Sequence, residues 1–108
     1  MLPSEIMNEL AELTQLSRKG VEILYEAEIE LAHAEHELDT KESQAFLDAQ
    51  GTVADRQALA KLESAEARLT RDLARAKVNR VKTKLKVIEG QLMAEATRAK
   101  IAQAEMKL

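Results

Sequence analysis

Apolar residues recur every seven positions through the first half of the chain. One column contains Leu24, Leu31 and Leu38, and a companion column contains Ala27 and Ala34. Apolar residues at alternating three- and four-residue spacing predict a helix that buries one seam against a partner helix. Because alanine adds little bulk, the two helices are expected to approach closely along this seam.

This heptad pattern weakens in "SRKGVE", residues 17–22, where Ser17 and Gly20 take the seam positions. Glycine inside a helix is destabilising relative to alanine. We therefore expect a kink or a break near Gly20. The expected elements are a short helix over about residues 4–18, with Ser4 as its N-cap, and a second helix over about residues 21–49.

The stretch "AQGTVAD", residues 49–55, predicts a tight turn between helices. Gly51 can adopt the left-handed conformation that closes a helix, and Thr52 with Asp55 three residues later fits a capping box that opens the next helix. The turn is expected at residues 50–52. Two helices joined by so short a loop run antiparallel as a hairpin, in which residue x lies opposite about residue 102 − x.

After the turn, the apolar residues form two stripes on different sides of one predicted long helix, residues 53–107. The first stripe contains Leu59, Leu62, Leu69, Leu73 and Ala76, and the second begins at Val78, about 140° around the helix. Two apolar faces require two neighbours, so we expect a homo-oligomer, with a dimer favoured. The residues expected in helix packing or oligomer contacts are Leu24, Leu31, Leu38, Leu62, Leu69, Leu73, Val81, Leu85, Ile88 and Leu92.

The composition agrees with a single all-α domain of 108 residues, a helical hairpin or coiled coil. Alanine accounts for 18 residues, Tyr25 and Phe46 are the only aromatics, and there is no cysteine. A chain without cysteine has no disulfide and no thiolate chemistry. No nucleophile motif or phosphate-binding loop is present, so we expect no enzyme activity, cofactor or small-molecule substrate. The absence of a long apolar run predicts a cytoplasmic protein without a membrane span.

Charge is divided between the two halves of the chain. Residues 1–55 carry 13 acidic and 3 basic side chains, whereas residues 56–108 carry 6 acidic and 13 basic ones. The basic run "ARLTRDLARAKVNRVKTKLK", residues 67–86, either follows a phosphate backbone or pairs with acid in the first helix, the second being favoured. The nucleic-acid candidates on one helix face are Arg68, Arg71, Arg75, Lys82 and Lys86. The acidic candidates opposite them are Glu22, Glu26, Glu28 and Glu30.

Both histidines lie in "HAEHE", residues 33–37. His33 and His36 share a helix face with acidic neighbours, which is compatible with two or three metal ligands. Their spacing differs from the metalloprotease pattern, in which two histidines stand four residues apart. We therefore interpret them as exposed surface residues and predict no metal site.

The segment "AFLDAQGTVADRQALAKLESAEARL", residues 45–69, with "RVKTKLKVIEGQL", residues 80–92, resembles small helical proteins of phages and prophages from actinobacteria and related Gram-positive hosts. These share an aromatic-aliphatic-x-Ala-x-Gly-Ser/Thr-Val-x-x-Arg turn, an Ala- and Leu-rich helix and a basic C-terminal helix. Where their pattern often has a "GRSL"-like step, this chain has Gly90, Gln91 and Leu92. The resemblance implies an early phage gene region concerned with DNA recombination, replication or host takeover.

Three functional hypotheses follow. The first is a non-catalytic adaptor in phage DNA recombination or replication that binds DNA or a protein partner. The second is an inhibitor of a host nuclease or CRISPR effector, because residues 22–42 contain eight acidic side chains and one basic one and are similar in style to phage coiled coils that mimic DNA. The third is a purely structural dimerisation module.

Overall fold

The computed structural model describes residues 2–107, which form three α-helices and no strand. Helix α1 spans Pro3–Asp48, α2 spans Val53–Glu63 and α3 spans Ala65–Met106. The two long helices pack against each other as a hairpin, which confirms the all-α class and the antiparallel pairing. The chain divides into two compact units. The turn unit is Tyr25–Asn79, and the terminal unit combines Met1–Leu24 with Arg80–Leu108.

Helix α1 begins one residue earlier than predicted. Pro3 is its first residue, and the Leu2 carbonyl accepts hydrogen bonds from the backbone N–H groups of Glu5 (3.0 Å) and Ile6 (3.2 Å). Proline suits the first helical position, because its fixed φ is helical and its missing N–H has no partner there in any case. The prediction of Ser4 as the N-cap is therefore wrong.

The predicted break at Gly20 does not occur, because α1 is continuous from Pro3 to Asp48. Within the terminal unit, Leu85 packs onto the bare backbone at Gly20, and a Cβ at that position would lie 2.5 Å from Leu85 Cδ2. The glycine therefore makes room for a side chain of the facing helix. The sequence pattern identified Gly20 as a special position but predicted the wrong effect for it. The short helix predicted over residues 4–18 is part of α1.

The turn agrees with the prediction. Gly51 has φ 112°, and α2 begins at Val53. The Thr52 hydroxyl accepts a hydrogen bond from the Asp55 backbone N–H (3.2 Å), and the Asp55 carboxylate accepts one from the Thr52 N–H (3.2 Å). This reciprocal pair is the predicted capping box, which satisfies two donors that the start of a helix leaves open.

The single long helix predicted after the turn is interrupted at Ser64, between α2 and α3. Ser64 is fully buried, with φ −94° and ψ 8°, and its hydroxyl donates to the Ala60 carbonyl at 2.6 Å. A serine that bonds back to the carbonyl four residues earlier competes with the helical ladder and bends it. The Arg68 N–H still bonds to the Ser64 carbonyl at 2.9 Å, so the helix resumes at once.

The seam that α2 and α3 present to α1 differs from the predicted leucine stripe. In the turn unit the buried residues are Ala60, Ser64, Ala67, Ala74 and Val78, whereas Leu62, Leu69 and Leu73 are exposed. In the terminal unit, buried Leu85 and half-buried Val81, Ile88 and Leu92 continue the same heptad count. The face of the helix that packs on α1 therefore does not change near residue 77, and the leucines predicted to pack lie on another face. Most of the buried residues on both sides of the turn unit are alanines, and α1 contributes Ala27, Ala34, Leu38 and Ala45.

A residue x of α1 contacts a residue of the second arm that lies a few positions beyond the predicted residue 102 − x. The rule places Lys82 opposite Gly20, but the side chain over Gly20 is that of Leu85. In the turn unit, Glu30 pairs with Lys77 rather than with a residue near 72. Side chains lean toward the N-terminus of their own helix, so in an antiparallel pair each long side chain reaches a level several residues before its own Cα.

Candidate nucleic-acid interface

The basic run at residues 67–86 contains two groups of side chains with different surroundings. In the turn unit, Arg75 pairs with Glu35 (3.5 Å) and Lys77 with Glu30 (2.9 Å). Arg71 lies half-buried with its Nε 2.7 Å from Asp72 Oδ1. The prediction that acid in the first helix neutralises part of this run is confirmed for Arg75 and Lys77.

Arg68, predicted as a nucleic-acid contact, has a structural position at the junction of α2 and α3. Its Nη1 donates to the Lys61 carbonyl (3.3 Å), and its Nη2 donates to the Ser64 hydroxyl (3.1 Å). The same Nη2 lies 3.7 Å from Glu42 of α1. Two hydrogen bonds and one ion pair hold the guanidinium against the protein, so the fold itself accounts for the position of this side chain.

The remaining basic residues of the run belong to the terminal unit and form no ion pair among the described residues. We define the basic cluster as Lys19, Arg80, Lys82, Lys84 and Lys86. Residues 80–88 contain four basic side chains and no acidic one. All five members of the cluster are exposed. Unneutralised cations at this density produce a positive potential that attracts anions.

An apolar groove runs through the basic cluster. Lys19, Arg80 and Lys84 line it together with Leu16, Gly20, Ile23, Val81, Leu85, Val87 and Ile88. At about 100° per residue, Lys82 and Lys86 lie roughly 120–160° around α3 from Arg80 and Lys84. The cluster therefore presents cations on both flanks of the α3 seam, with the stem of Lys19 contributed by α1 on the flank of Arg80 and Lys84.

A carboxyl pair occupies the seam farther toward the chain ends, in the same unit. Glu95 is buried, and Arg98 Nη1 donates to its Oε1 at 2.9 Å. Its Oε2 is buried and accepts no hydrogen bond from the described residues. A hydrogen bond with Glu95 raises the pKa of Glu9 above 4.5, and desolvation and the Glu95 charge add to the effect, while Arg98 opposes it. A protonated Glu9 supplies the missing donor.

The predicted acidic candidates differ in their surroundings. Glu30 is engaged by Lys77, whereas Glu22, Glu26 and Glu28 are exposed and form no ion pair among residues 2–107. Glu22 belongs to the terminal unit and the other three to the turn unit. At about 100° per residue, Glu28 lies on a different side of α1 from Glu26 and Glu30.

His33 and His36 are exposed on α1. No group of three or more metal-ligating side chains occurs in the described part of the chain. Its helices also include none that is long and apolar enough to cross a membrane.

Sequence reasoning missed Lys19 and Arg56. Lys19 stands outside the basic run, and only the hairpin register brings it beside Arg80 and Lys84. Arg56 contacts Phe46 across the turn, its guanidinium carbon 4.3 Å from the ring centroid. Phe46 and Arg56 are the aromatic residue and the arginine of the turn motif quoted above. Their joint presence in that motif could have suggested that the two side chains contact each other.

Comparison of the chain with protein-family models, curated proteins and solved structures gives no match.

Proposed function

We propose that this protein is a non-catalytic helical adaptor that binds the phosphate backbone of nucleic acid through the basic cluster. One observation supports this proposal above the others. The five cations of the basic cluster have no acidic partner among the described residues, whereas Arg75 and Lys77 of the turn unit each have one. Phosphate contacts by lysine and arginine supply most of the affinity of sequence-independent nucleic-acid binding.

Duplex DNA is the favoured ligand. Proteins that bind single strands use aromatic side chains on which bases stack. This chain has only Tyr25 and Phe46 as aromatics, and neither lines the groove through the basic cluster. The setting proposed for this binding is phage DNA recombination or replication, which rests on the resemblance of residues 45–69 and 80–92.

The test is a titration of labelled duplex and single-stranded DNA at low and moderate salt. The triple variant Lys82→Gln, Lys84→Gln and Lys86→Gln is expected to weaken duplex binding by about tenfold or more, because it removes three unpaired cations. The matched control Arg71→Gln, Arg75→Gln and Lys77→Gln removes the same charge from side chains with acidic neighbours. It is expected to weaken binding several times less.

Absence of DNA binding by the unaltered protein at low salt contradicts the proposal, and so does an equal reduction in the two triple variants. In the second case long-range charge alone, rather than the basic cluster, determines the affinity.

Inhibition of a host nuclease or CRISPR effector is the second candidate. The exposed carboxylates of Glu26 and Glu28, which no basic side chain among the described residues neutralises, favour it. Charge reversal at Glu26, Glu28 and Glu30 is expected to abolish inhibition of such an enzyme. If inhibition persists in that variant, acidic mimicry of DNA is wrong.

A further inference from the structure

Four large apolar side chains form an exposed row on the outer side of the turn unit. Their exposed fractions are 40% for Leu59, 73% for Leu62, 59% for Leu69 and 62% for Leu73. With Glu66 and Ala76 they occupy six successive heptad positions, which we call the leucine stripe: Leu59, Leu62, Glu66, Leu69, Leu73 and Ala76. Five of these six positions are apolar, as in a coiled-coil seam.

The hairpin itself does not use the leucine stripe. The same segment presents Ala60, Ser64, Ala67 and Ala74 to α1, and these small residues are buried. The segment thus has two parallel seams, one of alanine that is occupied and one of leucine that is open to solvent. A row of exposed leucines at regular spacing is a feature of interaction surfaces, whereas scattered exposed apolar residues are ordinary.

We propose that the leucine stripe binds the leucine stripe of a second copy of this chain, with the two helices antiparallel about a two-fold axis. A two-fold interface uses the same surface on both subunits and must be complementary to itself. The order of residues in the stripe meets this requirement in one direction and not in the other.

In the antiparallel arrangement, an axis between Leu69 and Glu66 aligns all six stripe positions with one another. Leu59 then faces the partner's Ala76, and Leu62 faces the partner's Leu73. Glu66 faces the partner's Leu69 and can extend its carboxylate to solvent. A parallel in-register pair instead places Glu66 against the partner's Glu66, two like charges in an apolar seam, which is unfavourable.

The flanks of the leucine stripe are also complementary in this arrangement. Glu63 and Lys77 lie on the same flank near its two ends, so each Glu63 comes near the partner's Lys77. Lys77 already pairs with Glu30, but its side chain is 55% exposed and its ammonium group has three donors. On the other flank, Ala58 and Ala65 are small enough to permit close approach of the helices.

The first test is the mass in solution, measured by light scattering after size exclusion across micromolar concentrations. The unaltered chain is expected to have twice the 12.0 kDa mass of one protomer. The variant Leu62→Glu with Leu69→Glu is expected to halve this mass and to keep its helical circular dichroism, because both side chains are exposed in the single chain. The control Met93→Glu changes a side chain as exposed as Leu62, at 73%, in the terminal unit, and is expected to remain dimeric.

The second test determines the direction of the two helices. The chain contains no cysteine, so single cysteines report their own contacts. A mixture of the Leu62→Cys and Leu73→Cys chains is expected to form a disulfide between the two different copies under mild oxidation, because these positions face each other in the antiparallel pair. Leu62→Cys alone is expected to form one only in a parallel pair, because its two copies lie about 16 Å apart along the antiparallel helices. A monomeric unaltered protein overturns the proposal, as does a dimer that survives both leucine substitutions, and cross-linking through Leu62→Cys alone overturns the antiparallel arrangement.

Discussion

The guanidinium of Arg56 at the start of α2 binds the carbonyl of Phe46 at the end of α1. Its Nε and Nη2 donate to this single oxygen at 3.2 Å and 3.0 Å, and the group lies over the Phe46 ring. The last carbonyls of a helix have no partner within the helix. Arg56 therefore satisfies one of them and at the same time holds the second helix beside the first.

Removal of the Arg56 side chain is expected to destabilise the fold. Hydrogen bonds from a charged group and a cation–π contact together suggest that Arg56→Ala lowers the free energy of unfolding by about 1–2 kcal/mol. Urea denaturation followed by circular dichroism measures this. Lys61→Ala, which truncates an exposed side chain of the same helix, serves as the control and should change the stability by less than about 0.5 kcal/mol. Equal effects of the two substitutions contradict the assigned role.

Alanine is expected to have opposite effects at the two helical glycines. A Cβ at Gly90 meets nothing within 4 Å, so Gly90→Ala should stabilise the fold by about 0.5–1 kcal/mol through helix propensity. At Gly20 the new Cβ collides with Leu85, so Gly20→Ala should destabilise by about 1 kcal/mol despite the same propensity gain. Thermal unfolding of both variants measures the difference, and a stabilising Gly20→Ala shows that Leu85 does not need the space.

Because of the Glu9–Glu95 pair, we expect the free energy of unfolding to fall as the pH rises. The folded state raises the pKa of Glu9, so this residue's contribution is fully present below its ordinary value of 4.5 and is lost as the pH rises through the folded-state pKa. Glu9→Gln imitates the protonated group and should raise the melting temperature at neutral pH but not in acid. Glu105→Gln, at an exposed position of the same unit, is the control. A Glu9→Gln effect that is equal at both pH values contradicts this linkage.

The salt dependence of DNA binding should identify the phosphate contacts. Removing one cation that touches a phosphate is expected to lower the slope of log affinity against log salt by about 1. The Lys82, Lys84 and Lys86 substitutions should therefore flatten the slope by about 3, whereas Arg68→Gln should leave it nearly unchanged because Arg68 is bound to Lys61, Ser64 and Glu42. A flatter slope for Arg68→Gln places that side chain on the phosphates after all.

The sequence predicted the features that depend on local chemistry. Gly51 with Thr52 and Asp55 located the turn because left-handed glycine and reciprocal capping need only neighbouring residues. The leucine and alanine columns of α1 located its seam for a similar reason, since large and small apolar residues alternate there. The all-α hairpin followed from these two signals together.

The features it missed depend on the facing helix. Hydrophobic periodicity gives leucine more weight than alanine. The leucine stripe was therefore predicted to be the packing face, and the buried Ala60, Ala67 and Ala74 were overlooked. Gly20 was interpreted as a weak point, although Leu85, 65 residues later, gives it a packing role. The basic run was treated as one surface. The ion pairs of Arg75 and Lys77 with α1 distinguish its first part from the basic cluster in the terminal unit.

The turn at Gly51 also determines how far apart in the chain contacting residues lie. Arg56 and Phe46 are separated by 10 positions and Lys77 and Glu30 by 47. Closing a long loop costs more entropy than closing a short one, unless nearer contacts have already shortened the free segment. The hairpin is therefore expected to fold by zipping outward from the capping box. In kinetic terms, substitution of Gly51 should slow folding, whereas disruption of the Glu9–Glu95 pair should chiefly alter the rate of unfolding.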